Sequence, residues 1–396
     1  MLKHQENISE FIKTDDEIKQ MSELEFEDYV ESLERNSMLQ RNTEQAVKLI
    51  INSIYGAFAN QYFHFYNIAI AETITLQGQD AIKYGESMCE KYFKDFWHKD
   101  KELHSKMGID CEVKPLKNPV WVYTDTDSGY VRFKEAIESC NWQGDEREFV
   151  LLLNEHRLSG YFRKCFESYA KKHNTENFLD FELETIGKSG IWVAKKKYVQ
   201  NIIWKDGKDY DNLSYIKTTG LEIIQSSTPV FCRGKLKELL TWVFAQDEIK
   251  LDKLIKVIKG IKQEFKLANI EEISANRSIG NYAKGIINDR EEFQIGKGCP
   301  IHVRGAGHHN YLLNNSKLKG KYELVRTGDK ARYYYAKDNF CDVFSYLPGE
   351  YPYEFAPEMD YERQFEQFIL QPLNRIIVST GVNALNRDLV YTTSLF

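Results

Sequence analysis

The chain has 396 residues, 42% of them hydrophobic, and a formal charge of -6, so it can bury a sizeable core and is expected to fold as two or three subdomains. Seven scattered cysteines without a CxxC pair exclude a structural zinc site of the usual spacing and point to a reducing compartment. The amino terminus has no apolar signal-like core, and no stretch approaches the ~20 apolar residues of a membrane span. The expectation is a cytoplasmic protein without a membrane partner.

Residues 1 to 35 are polar and acidic, with Ile18, Met21, Leu24, Phe26, Tyr29 and Leu33 spaced as on an exposed amphipathic helix. Residues 42–59, NTEQAVKLIINSIYGAFA, open on the possible cap Asn42 and carry a dense apolar face, which predicts a buried helix. A third helix is expected over 68–97. Within the second, Lys48, Asn52 and Tyr55 fall at i, i+4 and i+7, sharing one face over ~10 Å. That reach matches a nucleoside triphosphate, with a cation at one end and an aromatic beside a side-chain-free Gly56 at the other. The alternative is a core helix with a snorkelling lysine and Gly56 as its cap.

At 119–133, PVWVYTDTDSGYVRF places β-formers on both sides of a DTDSG turn, which reads as a hairpin. Residues two apart on an extended segment share a face, so Asp125 and Asp127 are expected to converge with Thr126 turned away. Two close carboxylates suit Mg²⁺, which leaves its other positions to water and phosphate. A solvated acidic turn remains the alternative. Helix returns over 148–172, and residues 178–204 are expected to form two strands around a GKSG turn. Between Lys188 and Lys217 seven lysines face three aspartates, a basic stretch within an acidic chain. After Pro229 helical periodicity dominates to about Phe265, followed by an aromatic-rich region. The adjacent His308 and His309 read as surface residues, not as a metal site.

Several of these segments resemble signatures of one family. KLIINSIYG, Lys48 to Gly56, is similar to the KxxxNSxYG motif B of family B DNA polymerases, and YTDTDS to their motif C, in the same order along the chain. WVAKKKY, Trp192 to Tyr198, resembles the KKRY element that holds the primer, with Lys197 in place of arginine, which loses a bidentate fork. KTTGLEIIQSSTP and CPIHVRG resemble the junction and thumb core of tailed-phage replicative polymerases. The resemblance implies an α+β fold: an antiparallel palm sheet with helices, one fingers helical arm and a mostly helical thumb. It places the second half of the fingers at 1–60, the palm at 61–225 and the thumb with its carboxyl-terminal tail at 226–396.

By the same resemblance, Lys48, Asn52, Tyr55 and Gly56 would meet the incoming nucleotide, and Asp127, supported by Asp125, would ligate two Mg²⁺ ions. Lys195, Lys196, Lys197, Tyr198 and Lys217 would hold primer-template DNA. Motif A, which supplies the other metal-binding aspartate, has no match before Lys48, and the acids of the proofreading exonuclease are absent as well. DVFSYLP, Asp342 to Pro348, is a transposed imitation of motif A in the wrong place and is read as a strand ending in a Pro-Gly turn. The expectation is therefore a polymerase divided between two polypeptides, inactive without its amino-terminal partner and working in a host bacterial cytoplasm if phage-encoded. A fragment of one longer chain, or a non-catalytic DNA-binding or scaffold subunit, is the alternative. The terminal Leu395 and Phe396 resemble the start of a peptide that docks on a sliding clamp.

Overall fold

The computed structural model describes residues 12–281, 298–337 and 341–386. They form two compact units: the described residues up to Asp95 with Lys117–Arg132, and Phe96–Leu116 with those from Phe133 onward. The fold is α+β, with small antiparallel sheets, and no helix among the described residues is long and apolar enough to cross a membrane.

In the first unit, helix α1 runs unbroken over Glu23–Phe58. Its 36 residues span ~54 Å. Ser22 and Glu25 form a reciprocal capping box at its start. The expected break at Asn42 does not occur, because neither proline nor glycine interrupts the sequence before Gly56 and one mid-helix Asn costs only about 0.5 kcal/mol. The expected burial of 42–59 is not met either. None of the 36 residues is buried, and Leu49, Ile50 and Ile51 are 66%, 60% and 61% exposed. An apolar stripe drives burial only where a second surface meets it.

A turn rich in aromatic residues follows, in which Phe63 packs edge-on against Phe58 and Phe65. Asn67 then caps helix α2, Ile68–Lys91, by accepting from the Ile70 amide. Helix α2 buries Ala71, Ile82, Gly85 and Cys89. Strands β1 (Trp121–Asp125) and β2 (Ser128–Val131) make the predicted hairpin. The Trp121 amide donates to the Glu90 carboxylate at 2.6 Å, which ties the hairpin to α2.

The second unit contains helices α3 (Glu146–Leu153) and α4 (Ser159–Lys172), joined by a π-helical turn, as the periodicity predicted. Strands β3 (Thr185–Ala194), β4 (Lys197–Lys205), β5 (Lys208–Asp209) and β6 (Tyr215–Thr219) form an antiparallel sheet in which β4 pairs with the other three. Here the turn is Lys195–Lys196, and the GKSG segment lies inside β3, its irregular register falling at Gly187 to Ser189. The glycines serve the sheet surface instead: a Cβ at Gly190 would meet the Trp192 ring at 2.7 Å. Residues 178–184 form no strand.

Helices α5 (Val230–Phe244) and α6 (Leu251–Leu267) present Leu236, Leu240, Ile258 and Phe265 to one core. Val199 of β4 joins the same core. A second sheet, β7 (Ala275–Ser278), β8 (Lys330–Tyr335) and β9 (Val343–Tyr346), packs against helix α7, Ile301–Asn314. A Cβ at Gly305 would lie 2.9 Å from the Ser345 amide, so helix and strand approach closely only because that residue is glycine. Helix α8, Gln371–Val378, adds Leu373, Ile376 and Ile377 to the core.

His308 and His309 are not surface residues. Both are buried on α7, with His308 Nδ1 3.1 Å from the Val343 carbonyl and His309 Nε2 3.1 Å from that of Glu323. Each ring spends a nitrogen on a backbone oxygen inside the core, while His309 Nδ1 is buried without a hydrogen-bond partner among the described residues. DVFSYLP is strand β9 followed by the expected turn, with Gly349 at φ 82° and the Glu350 amide donating to the Leu347 carbonyl at 3.0 Å.

Candidate functional site

The β1–β2 hairpin is closed by only Thr126 and Asp127, since Asp125 pairs with Ser128 and Thr124 with Gly129. The Asp127 amide donates to the Asp125 carbonyl at 2.8 Å across Thr126, whose φ is 60°. This is a γ-turn of the rarer hand, and a β-branched residue at positive φ costs about 1–3 kcal/mol. The carboxylates therefore do not share a face by strand alternation, because the backbone between them is not extended. Asp125 ends β1 half-buried, while Asp127 stands exposed at the tip.

Sequence reasoning missed what supports this tip. Val122 is an extra residue in the ladder between the pairs Trp121–Val131 and Tyr123–Tyr130. The bulge turns Trp121 onto the face of Thr124 and Gly129. There its indole N–H donates to Thr124 Oγ1 at 2.8 Å, and its ring covers Gly129 so closely that a Cβ would sit 2.0 Å from it. The glycine after DTDS was legible only as a turn residue; its partner was not.

On α1, Lys48, Asn52 and Tyr55 are exposed along one face, as the spacing predicted. The Lys48 and Asn52 side chains have no hydrogen-bond or ion-pair partner among the described residues. Gly56 lies within the helix, which is capped at Ala59, and a Cβ at Gly56 would meet nothing within 4 Å. It is therefore not the helix cap. Its bare backbone leaves room beside Tyr55 for a flat ligand. The hairpin and this helix belong to the same structural unit.

The basic elements belong to the second unit. Lys195 and Lys196 form the β3–β4 turn, with Lys196 at φ 58°. Gly220, at φ 64°, lies beneath it, and a Cβ there would fall 2.0 Å from the Lys196 carbonyl oxygen. The glycine of KTTG thus makes room for the lysine turn. Tyr198 is buried, its ring stacked on Trp192 at 6.5 Å, so it anchors the turn from inside. Lys197 pairs with Glu222 at 3.7 Å, and Glu222 also holds Arg375. Lys217 is half-buried on β6 opposite Gln200.

The seven lysines are not one patch. Lys205 and Lys208 sit at the far end of β4, ~27 Å along the strand from Lys197. All three aspartates lie at that end, Asp206 beside Lys205 at 3.6 Å and Asp209 paired with Arg147 at 3.0 Å. Lys195 and Lys196 therefore lie at the opposite end of β4 from these aspartates.

Among the described residues, no three or more His, Cys, Asp or Glu side chains converge as a metal site. Asp125 and Asp127 offer two hard oxygen donors, and the Asp127 carboxylate has no side-chain partner among the described residues. That donor set fits Mg²⁺, which binds through one or two carboxylates and completes its shell with water and phosphate oxygens. Leu395 and Phe396 lie outside the described residues.

The profile of DNA polymerase family B matches residues 8–146, which contain both the Lys48–Gly56 helix segment and the Asp125–Asp127 hairpin. The chain is also 26% identical to the DNA-directed DNA polymerase of Escherichia phage RB69 over 334 residues. It is related to the family B DNA polymerases of phages. The RB69 similarity covers 81% of this chain and 34% of the phage protein. With the DNA-directed DNA polymerase of Enterobacteria phage T4 the identity is 23%, over 93% of this chain and 40% of that one. The DNA polymerase alpha catalytic subunit of Trypanosoma brucei brucei is 22% identical over 84% of this chain and 21% of its own length. The chain thus spans about a third to two-fifths of its phage relatives.

Proposed function

We propose that this chain carries the nucleotide-facing helix and the metal-binding hairpin of a DNA-directed DNA polymerase that adds deoxynucleotides to a primer 3′ end. The observation that carries this reading is the presence in one structural unit of an exposed Lys48–Asn52–Tyr55 face and a strained acidic hairpin tip. Lys48 and Asn52 take the triphosphate, as a point charge and an amide can, and Tyr55 with Gly56 lies against the nascent base pair. Asp127 and Asp125 hold Mg²⁺, which brings positive charge to phosphates undergoing transfer. The strained turn fixes where Asp127 stands, so that its oxygens need no reorganisation when substrate arrives. Lys195, Lys196 and Lys217 face the DNA backbone; Tyr198 positions the turn, and Glu222 tempers the charge of Lys197.

Two carboxylates are too few for a two-metal centre. A further aspartate comes, on this reading, from an amino-terminal polymerase polypeptide, which also supplies the exonuclease. Leu395 and Phe396 are proposed to tether the enzyme to a sliding clamp. Primer extension tests the reading: the chain alone is expected to give none, and addition of that amino-terminal portion is expected to give Mg²⁺-dependent synthesis. Robust extension by the chain alone would overturn the divided site.

A further inference from the structure

Two of the cysteines meet across the second unit. The Cys111 Sγ lies 2.9 Å from the carbonyl oxygen of Cys140, 29 residues further along the chain. Beside this contact the Lys114 amide donates to the Ser139 carbonyl at 3.2 Å, so the segment after Cys111 runs against the end of the short helix Lys134–Ser139, which Cys140 caps. A carbonyl oxygen sits ~2.4 Å from its own Cα, which puts the Cys111 sulfur within ~5.3 Å of the Cys140 Cα. Disulfides join residues whose Cα atoms are about 4.4–6.8 Å apart, so the two thiols are within reach of a bond. It requires the Cys140 side chain to turn from the Ile137 carbonyl, to which its thiol now donates at 3.4 Å.

The two thiols differ in access. Cys111 is exposed, whereas Cys140 is 3% exposed and burial pushes its thiol up to about 11. A reagent in solution therefore meets Cys111 first, and Cys140 is placed to attack what forms on it. The pair also stands at a particular point of the chain. Lys117–Arg132, with the β1–β2 hairpin, belongs to the first unit, so the chain leaves the second unit after Leu116 and returns to it at Phe133. Cys111 and Cys140 flank that excursion, and a bond between them closes a ring that carries Asp125 and Asp127.

We infer that Cys111 and Cys140 form a thiol oxidation site, at which a low-molecular-weight disulfide produces an intramolecular bond that clasps the base of the acidic hairpin. The Cys111 thiolate attacks one sulfur of the small disulfide, which forms a mixed disulfide and expels one thiolate. Cys140 then gives its proton to solvent and attacks the Cys111 sulfur, expelling the second thiolate. Each expelled thiolate takes up a proton. Two protein thiols are thus oxidised by two electrons while one disulfide is reduced to two thiols, and excess thiol reverses the exchange. The inference is independent of the proposed function, because it needs only the placement of the two sulfurs.

The test uses the full chain, folded and reduced, exposed to hydroxyethyl disulfide, an uncharged reagent that Asp110 and Glu112 beside Cys111 do not repel. Alkylation of the remaining thiols, tryptic digestion and mass spectrometry should show the peptides of Cys111 and Cys140 joined, with Cys165 and Cys299 joined to neither. Oxidation should raise the melting temperature by about 3–6 °C, because the bond removes loop freedom from the unfolded chain, and a dithiol should abolish the rise. Cys111→Ser, at an exposed position, should keep the melting temperature of the reduced chain and lose both the link and the rise. A Cys111 that stops at the mixed disulfide with the reagent, a link from Cys111 to another cysteine, or a link that forms only in denaturant overturns the inference. So does an oxidised chain that melts no higher than the reduced one.

Discussion

The indole of Trp121 occupies the space that a side chain at Gly129 would need, with a Cβ falling 2.0 Å from the ring. The two residues face each other only because Val122 bulges out of β1, and together they floor the turn that carries Asp125 and Asp127. Gly129→Ala must therefore displace the indole or spread the strands, at a cost of about 1–3 kcal/mol. A lower melting temperature and reduced synthesis by the joined polymerase are expected. Combining it with Trp121→Val should recover part of the stability, and a strictly additive double mutant would show that the ring is not the obstacle.

Asp127 is exposed and supports no packing, so its role is separable from the fold. Asp127→Asn keeps the shape and removes the charge that a cation needs. Primer extension by the joined enzyme is expected to fall about a thousandfold or more, with DNA affinity and melting temperature unchanged. Near wild-type extension would remove Asp127 from the metal site.

The split of the lysine stretch predicts unequal effects. Lys195→Ala and Lys196→Ala should each lower the salt dependence of DNA binding by about one counterion. Lys205→Ala and Lys208→Ala, next to the aspartates at the other end of β4, should change it little. Equal slopes for both pairs would show that the whole strand tracks phosphate.

Beneath the lysine turn, Gly220→Ala meets both a 2.0 Å contact with the Lys196 carbonyl and an unfavourable φ of 64°. It should weaken DNA binding without removing any charge. Unchanged affinity would separate the KTTG segment from the lysine turn.

Burial pushes the His309 pKa from 6.5 down to about 4. Between those values the unfolded chain binds more protons than the folded one, so stability rises with pH there and is lost as pH falls from 6.5 towards 4. The penalty is absent above that window and reaches about 3 kcal/mol at its acid end. Melting temperatures measured across the window should fall less steeply in His309→Gln. An identical pH profile would place the acid sensitivity elsewhere.

Local pattern was enough to determine the type of most elements and the family resemblance. The i, i+4, i+7 spacing of Lys48, Asn52 and Tyr55 survives in any helix, and β-formers on both sides of DTDSG can close only as a hairpin. Periodicity could not say where α1 would start, because Asn42 and Ser22 both look like caps and only the missing Gly and Pro between them decided for Ser22. Nor could it tell that the apolar face of α1 stays exposed, since burial depends on a second surface. The placement of Asp127 in a γ-turn, the indole over Gly129, and the burial of Tyr198, His308 and His309 came from tertiary structure. Each is a contact between residues distant on the chain or a choice of backbone well, and for these composition and spacing carry no signal. The same reason accounts for the lysine stretch: counted along the sequence it is one basic run, but a nine-residue strand carries its two ends apart and gives the aspartates to only one of them.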